Sequence, residues 1–171
     1  SADYAEQFAL AILTTDLVPK TVTTEVVLSG GTVRITGICK GSGMIHPNMA
    51  TMLGYLLTDV ALPTDIAQDL LRKASDLSFN MISVDGDSST NDCVFMLANG
   101  ASGVSLKTDD DMMKFKDALF AVNERLVTWL DTAWGKVAVV AVGATCVARI
   151  HASYDAIVTH TGSPRKSHTY E

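Results

Sequence analysis

The chain has 171 residues, of which 47% are apolar and 19% charged, which fits one globular domain and excludes a disordered chain. Its formal net charge is -6 and its pI about 5.1, with no lysine/arginine cluster, so nucleic-acid binding is not expected. No apolar run reaches the roughly 18 residues that cross a bilayer, so no membrane segment is expected either.

Ala5, Phe8, Ala9, Ile12 and Leu13 recur at helical spacing and predict an amphipathic helix over 3–13, left through the polar Thr14-Thr15-Asp16. Residues 21–28 and 32–38 are rich in Val, Thr and Ile and flank Ser29-Gly30-Gly31, a hairpin signal. The glycine-rich segment at Lys40 leaves the second strand, and 51–58 returns as a buried strand. Pro63 and Thr64 open a helix with Ile66, Leu70, Leu71, Ala74 and Leu77 on one face. A strand is expected over 79–84, then an aspartate- and hydroxyl-rich loop over 85–92, then a strand over 93–97. Met112, Phe115, Leu119, Val122 and Leu126 mark a helix over 109–130, with Asp109 to Asp111 suited to its amino end. Residues 137–142 read as a strand, 146–158 as a helix or a strand with helix preferred, and the last eleven as a polar tail. No repeat or linker divides the chain. Strands and helices mix without a regular βαβ period, so the expected class is α/β, an α+β sandwich with mixed sheets.

Cys39, Cys93 and Cys146 lie far apart without CxxC spacing, which predicts buried thiols in a reducing compartment. The amino terminus lacks the order of a signal peptide, so a cytoplasmic setting is expected, or a mitochondrial matrix if a transit segment lies upstream.

The segment Lys-Gly-Ser-Gly-Met-Ile-His-Pro-Asn-Met-Ala-Thr-Met-Leu, residues 40–53, carries the chemistry. A threonine hydroxyl is a poor nucleophile until a base takes its proton. At a free amino terminus its own α-amino group serves, with an ordinary pKa of about 7.7 to 8.0. Attack of Thr51 Oγ on the Ala50 carbonyl gives an ester that water hydrolyses, leaving Thr51 as a new terminus. Ala50 is small and leaves that carbonyl approachable, while Gly41 and Gly43 permit unusual backbone angles. An Ala-Thr pair alone signifies nothing, Lys-Gly-Ser-Gly alone reads as a turn, and Lys40 alone reads as a solvated loop lysine.

The whole string is different. Together with Ser-Phe-Asn-Met-Ile-Ser-Val-Asp-Gly-Asp-Ser-Ser-Thr-Asn-Asp at 78–92, it resembles the ornithine acetyltransferase family, the bifunctional glutamate N-acetyltransferases of arginine biosynthesis. The resemblance implies a DmpA/ArgJ-like fold of the self-processing, N-terminal-nucleophile type. It implies cleavage between Ala50 and Thr51, with Thr51 as catalytic nucleophile. It implies that Thr14, with Thr15 as the alternative, Lys40 and Thr51 bind substrate; a lysine ammonium suits the α-carboxylate of acetylglutamate and acetylornithine. Residues 1–50 would end an α segment and 51–171 begin a β segment. The implied reaction is ping-pong acetyl transfer from N2-acetylornithine to L-glutamate, without metal or nucleotide, some members also using acetyl-CoA as donor. The implied assembly is an α2β2 heterotetramer.

The resemblance is strong over 5–127 and weak over 128–171. The family's oxyanion hole is a Thr-Gly pair expected upstream of this sequence, as its carboxyl-terminal substrate contacts are expected downstream. A family glutamate is absent from Trp129 to Lys136, and Asp131, the nearest carboxylate, does not match it. Two rival readings stand beside transfer: a self-processing aminopeptidase or amidohydrolase of related fold, and an inactive fragment. Residues 85–92 do not make an EF-hand, because Thr90 and Met96 stand where Gly and Glu are required. Gly41-Ser42-Gly43 lacks the P-loop order, and His46, His151, His160 and His168 lack metal-ligand spacing with any cysteine.

Overall fold

The computed structural model describes residues 2–14, 16, 18–41, 52–83, 91–132 and 138–139. Helix α1 spans Ala2–Ala11, and the hairpin strands β1 and β2 span Lys20–Leu28 and Gly31–Lys40. Leu28 pairs with Gly31, so the turn is Ser29-Gly30. Gly31 has a φ of +137°, a region that favours glycine. Strand β3 is Leu53–Thr58, helix α2 Thr64–Asp76, β4 Ile82–Ser83, β5 Cys93–Ala98, α3 Asp109–Thr132 and β6 Ala138–Val139.

Four strands form one sheet in the order β1-β2-β3-β5. The β1/β2 and β2/β3 pairs are antiparallel and β3/β5 is parallel, so the sheet is mixed. Parallel neighbours need a crossover, and α2 lies in the connection that supplies it. A second, two-stranded pair joins β4 to β6, Ile82 opposite Val139. The mixed α/β class expected from the sequence is therefore present.

Alternation along the strands sends Val22, Val26, Val33, Ile35 and Leu56 into one core with Leu70 and Ala74 of α2 and Phe115, Leu119, Val122, Leu126 and Leu130 of α3. Helix α3 packs across β1 and β2. Its close approach depends on Gly37, where an added Cβ would lie 2.6 Å from Val122 Cγ1 and 2.7 Å from Leu126 Cδ1. Thr108 and Asp111 cap α3: Asp111 N donates to Thr108 Oγ1, and Thr108 N donates back to Asp111 Oδ2. Asp111 also accepts the Ser29 hydroxyl and amide at 2.6 and 2.7 Å, tying the hairpin turn to the helix. These Ser29 bonds, hydroxyl first, hold the Asp111 carboxyl well below the ordinary aspartate value.

Three expectations need correction. Residues 79–84 do not form a strand throughout: Phe79–Met81 make a 3-10 turn, closed by Met81 N to Ser78 O, and among the described residues of that span only Ile82–Ser83 pair. Leu77 does not join the buried stripe, because α2 ends at Asp76 and Ser78 Oγ closes back onto Ala74 O at 2.6 Å, leaving Leu77 exposed. Cys93 is exposed while Cys39 is buried. Burial pushes the Cys39 thiol up to about 12, opposed by the Lys20 charge, so it is an inert core residue. Cys146, the region 146–158 and the rest of 140–171 lie outside the described residues, as do Val137 and Val140 to Val142 of the expected last strand.

Candidate functional site

Polar groups gather where β2 ends and β3 and β5 begin. Lys40 closes β2 and pairs with Leu53 of β3, and Leu53 pairs in turn with Cys93 of β5. Lys40, Leu53 and Cys93 thus stand abreast, and the residues before the last two, Met52 and Asp92, lie side by side. Met52 N donates to Asp92 Oδ1, and Cys93 N donates to Met52 O at 3.2 Å. These bonds fix the chain immediately after Thr51. Thr51, Ala50 and the glycine-rich residues 42–49 lie outside the described residues, as do Val84 and residues 85–90 of the acidic loop.

Lys40 is buried, unlike a solvated loop lysine. Its Nζ donates to Thr14 Oγ1 at 3.3 Å, so two of the expected substrate-binding residues, 26 positions apart, meet. Thr14 is exposed and follows α1, which lies against β2. Thr15 lies outside the described residues.

Below this pair is an ion pair that the sequence reading did not identify. Lys20 Nζ donates to Asp16 Oδ1 at 2.6 Å, with both side chains fully buried. The same oxygen accepts Gly41 N at 2.8 Å. Burial drives the Asp16 carboxyl up, but Lys20 and the Gly41 amide outweigh it, and the group sits below the ordinary aspartate value. Asp16 therefore links the exit of α1, the start of β1 and the first residue beyond Lys40. The signal available in sequence was the i,i+4 spacing of two opposite charges beside a strand.

Asp92 was likewise missed as an individual residue. Burial raises its carboxyl above the ordinary value, against the Met52 amide and the Lys40 charge, which act to lower it. Its position directly before a strand was legible. Its neighbour Met52 was not, because that needs the parallel β3/β5 register. An open groove lined by Ala61, Pro63, Asn99 and Ser105 lies at the other end of β3 and β5 and adds no charged group to the site. Among the described residues no cluster of three or more His, Cys, Asp or Glu could hold a metal ion. Among them too, no helix is long and apolar enough to cross a membrane.

The architecture defines an α/β protein with a mixed sheet, where Lys40 at the end of β2 meets the Thr14 hydroxyl and Asp92, just before β5, accepts Met52 N, just before β3. The chain belongs to the ArgJ family, whose family model matches residues 1–152. It is similar to the arginine biosynthesis bifunctional protein ArgJ of Synechococcus sp., 62% identical over 94 residues, covering 55% of this chain and 23% of that protein. The chloroplastic ArgJ of Oryza sativa subsp. indica is 44% identical over 153 residues, 88% of this chain and 32% of that protein. That of Nitratidesulfovibrio vulgaris is 50% identical over 123 residues, 72% and 31% respectively. The chain thus spans 23% to 32% of the length of these relatives.

Proposed function

We propose that this chain carries the nucleophile segment of an acyltransferase of arginine biosynthesis, which moves an acetyl group from N2-acetylornithine to L-glutamate. The observation that carries this reading is membership of the ArgJ family across residues 1–152, a span that includes the Ala50-Thr51 junction. The relatives' names speak of arginine biosynthesis and of a bifunctional protein. The meeting of Thr14 and Lys40 supports a carboxylate-binding role for the pair.

In the proposed reaction Thr51 Oγ first attacks the Ala50 carbonyl, the Ala50 C–Thr51 N bond breaks as the nitrogen takes the hydroxyl proton, and water then hydrolyses the resulting ester, freeing the Thr51 hydroxyl beside its new amine and leaving Ala50 as a carboxylate. That amine then takes the Thr51 hydroxyl proton as Oγ attacks the acetyl carbonyl of acetylornithine. The C–N bond breaks, ornithine leaves with the proton, and an acetyl ester remains on Thr51. The amine of glutamate attacks this ester, the C–O bond breaks, and Thr51 recovers its hydroxyl proton while acetylglutamate departs. Lys40 and Thr14 hold the substrate α-carboxylate. No metal is required, and acetyl-CoA is an alternative acetyl donor. The fold we infer is the DmpA/ArgJ-like sandwich. Its support is the sheet face opposite the core, where Val27, Phe95 and Leu97 are 71%, 46% and 54% exposed, apolar surface of the kind a second layer covers. An α2β2 assembly and a cytoplasmic setting belong to the same reading.

The test is Thr51→Ala beside wild type in the full-length protein, followed by intact mass and by incubation with acetylornithine with and without glutamate. Wild type should appear as two pieces divided at Ala50/Thr51 and form acetylglutamate. The variant should stay whole and lose transfer by at least about a thousandfold, the scale expected on losing an acyl-accepting residue. A variant that still splits there, or still transfers, refutes the assignment. Acetate without acetylglutamate identifies a hydrolase instead.

A further inference from the structure

Lys40 is the last residue of β2, and its two flanks are held differently. On one side it pairs with Leu53 of β3. On the other, the β1/β2 ladder stops one residue short, at Lys20 opposite Cys39. Asp16 takes over where that ladder ends. Its Oδ1 accepts Lys20 Nζ at 2.6 Å and Gly41 N at 2.8 Å, so one oxygen joins the first residue of β1 to the residue after Lys40. Gly41 N is two covalent bonds from Lys40 Cα, a span of about 2.4 Å. The same two segments touch once more, through Lys40 Nζ and Thr14 Oγ1 at 3.3 Å. Thr14 stands shortly before Asp16, and Lys40 directly before Gly41, so the two contacts are neighbouring cross-links between one pair of chain segments.

We propose that Asp16 is a positioning residue for the Lys40–Thr14 pair, acting through Gly41 N and Lys20 to hold ammonium and hydroxyl at the spacing that takes one carboxylate. This rests on the reading of Lys40 and Thr14 as the carboxylate-binding pair. Three features support it. Thr14 lies after α1, which ends at Ala11, and before β1, which starts at Lys20, so neither element holds it in place. Its hydroxyl oxygen accepts from Lys40, which leaves the hydroxyl hydrogen to donate beside a lysine ammonium that carries three. Donors of these two kinds, side by side, match the two oxygens of a carboxylate. The Asp16–Lys20 pair is fully buried, and a charged hydrogen bond is stronger there than in water.

The kinetic consequence follows. Both proposed substrates, acetylornithine and glutamate, carry an α-carboxylate, so a displaced pair weakens both alike. That carboxylate does not react. Its contacts are equally strong in the ground state and the transition state, and their loss raises KM rather than lowering kcat.

Two double variants separate position from charge and from stability. Lys20→Met/Asp16→Asn and Lys20→Met/Asp16→Leu each remove both charges of the buried pair, so neither strands one. The first keeps a side-chain oxygen for Gly41 N, and the second has none. In the full-length enzyme the leucine variant should raise KM for acetylornithine and for glutamate about tenfold, with kcat within about threefold. The asparagine variant should stay within about threefold of wild type in both constants. Because Asp16 acts through Lys40, the leucine change should add less than about twofold in a Lys40→Met background, where independent effects would multiply. Equal KM in the asparagine and leucine variants overturns the proposal, as does a leucine effect that multiplies with that of Lys40→Met. Should the leucine variant fail to accumulate, Asp16→Glu decides: it keeps the charge and moves the acceptor by one methylene, and an unchanged KM overturns the anchor. Lys40→Met alone separates the two levels. An unchanged KM there refutes the carboxylate-binding reading; a raised KM there, with wild-type KM in the leucine variant, refutes only the role of Asp16.

Discussion

The buried pair between Lys20 and Asp16 offers a stability test whose size and pH dependence follow from the geometry. Lys20→Met removes the cation and leaves a shape close to the lysine stem. Asp16 then keeps one donor, Gly41 N at 2.8 Å, and its second oxygen, Oδ2, has no partner among the described residues. Breaking a buried pair from one side costs about 3 to 5 kcal/mol. The retained amide bond places the expected loss near the lower end, about 3 kcal/mol at pH 7. The sign then inverts with pH. In wild type the folded-state carboxyl is held below its unfolded value, so its contribution is present above about pH 4 and lost as pH falls through the folded value. In Lys20→Met the stranded carboxyl is pushed above its unfolded value, so stability is lost as pH rises between the two. The gap between variant and wild type should therefore be wide at pH 7 and narrow toward pH 4. Urea denaturation followed by tryptophan fluorescence at both pH values measures it, with an unchanged m-value as the check on two-state behaviour. Lys20→Met with Asp16→Asn should lose less than the sum of the single changes, by at least about 2 kcal/mol. A single-variant loss under about 1 kcal/mol, the range of an exposed pair, or an equal loss at pH 4 and pH 7, would refute the reasoning.

Two further perturbations test the frame that carries the site. Gly37→Ala should destabilise by about 1 to 3 kcal/mol, since its Cβ would press on Val122 and Leu126, and adding Val122→Ala should restore part of that; an unchanged melting temperature counts against the close packing of β2 on α3. Asp111→Asn should lower the melting temperature at pH 7 and pH 5 alike. Because the folded Asp111 carboxyl lies well below its unfolded value, that deficit should begin to shrink below about pH 4 and go on shrinking as pH falls toward the folded value, and a deficit as large at pH 2.5 as at pH 5 would contradict the Ser29 and helix-cap bonding.

Local chemistry was legible where one element decides its own form. The Val/Thr/Ile runs on either side of Ser29-Gly30-Gly31 became β1 and β2 with small shifts of boundary, and the stripe from Met112 to Leu126 became the core-facing side of α3. The failures come from competition that a period does not show. Ser78 to Ser83 alternates as a strand would, yet Ser78 spends its hydroxyl closing α2 and its carbonyl starting a 3-10 turn, so only two residues remain to pair. The site divides in the same way. Lys40 and Thr14 were singled out through the resemblance, and the structure brings them together. Asp92 and Asp16 were not, because each acts through a backbone amide, Met52 N or Gly41 N, that only strand pairing and chain reversal deliver. A residue that binds backbone leaves no spacing rule in the sequence.

That backbone bonding bears on how a chain could be cut between β2 and β3 without losing its sheet. The segment 42–51 joins the two strands, and the proposed scission falls at its far end. Upstream, the stump is held at its first residue, Gly41, by a carboxylate that Lys20 keeps charged within the fold. Downstream, the stump is held at Met52 by Asp92 and by Cys93 N. Between these points Lys40 and Leu53 begin a six-pair antiparallel ladder that does not involve the connecting segment. Opening a connection of about ten residues releases its closure entropy but removes none of those bonds. Each cut end thus keeps its own anchor, and the two anchors flank the lysine that would face the substrate. A design in which the connection itself held the strands together would lose the site at the moment of its maturation. Here Asp16 and Asp92 hold the two stumps through Gly41 N and Met52 N, bonds that lie outside the connection and survive its opening.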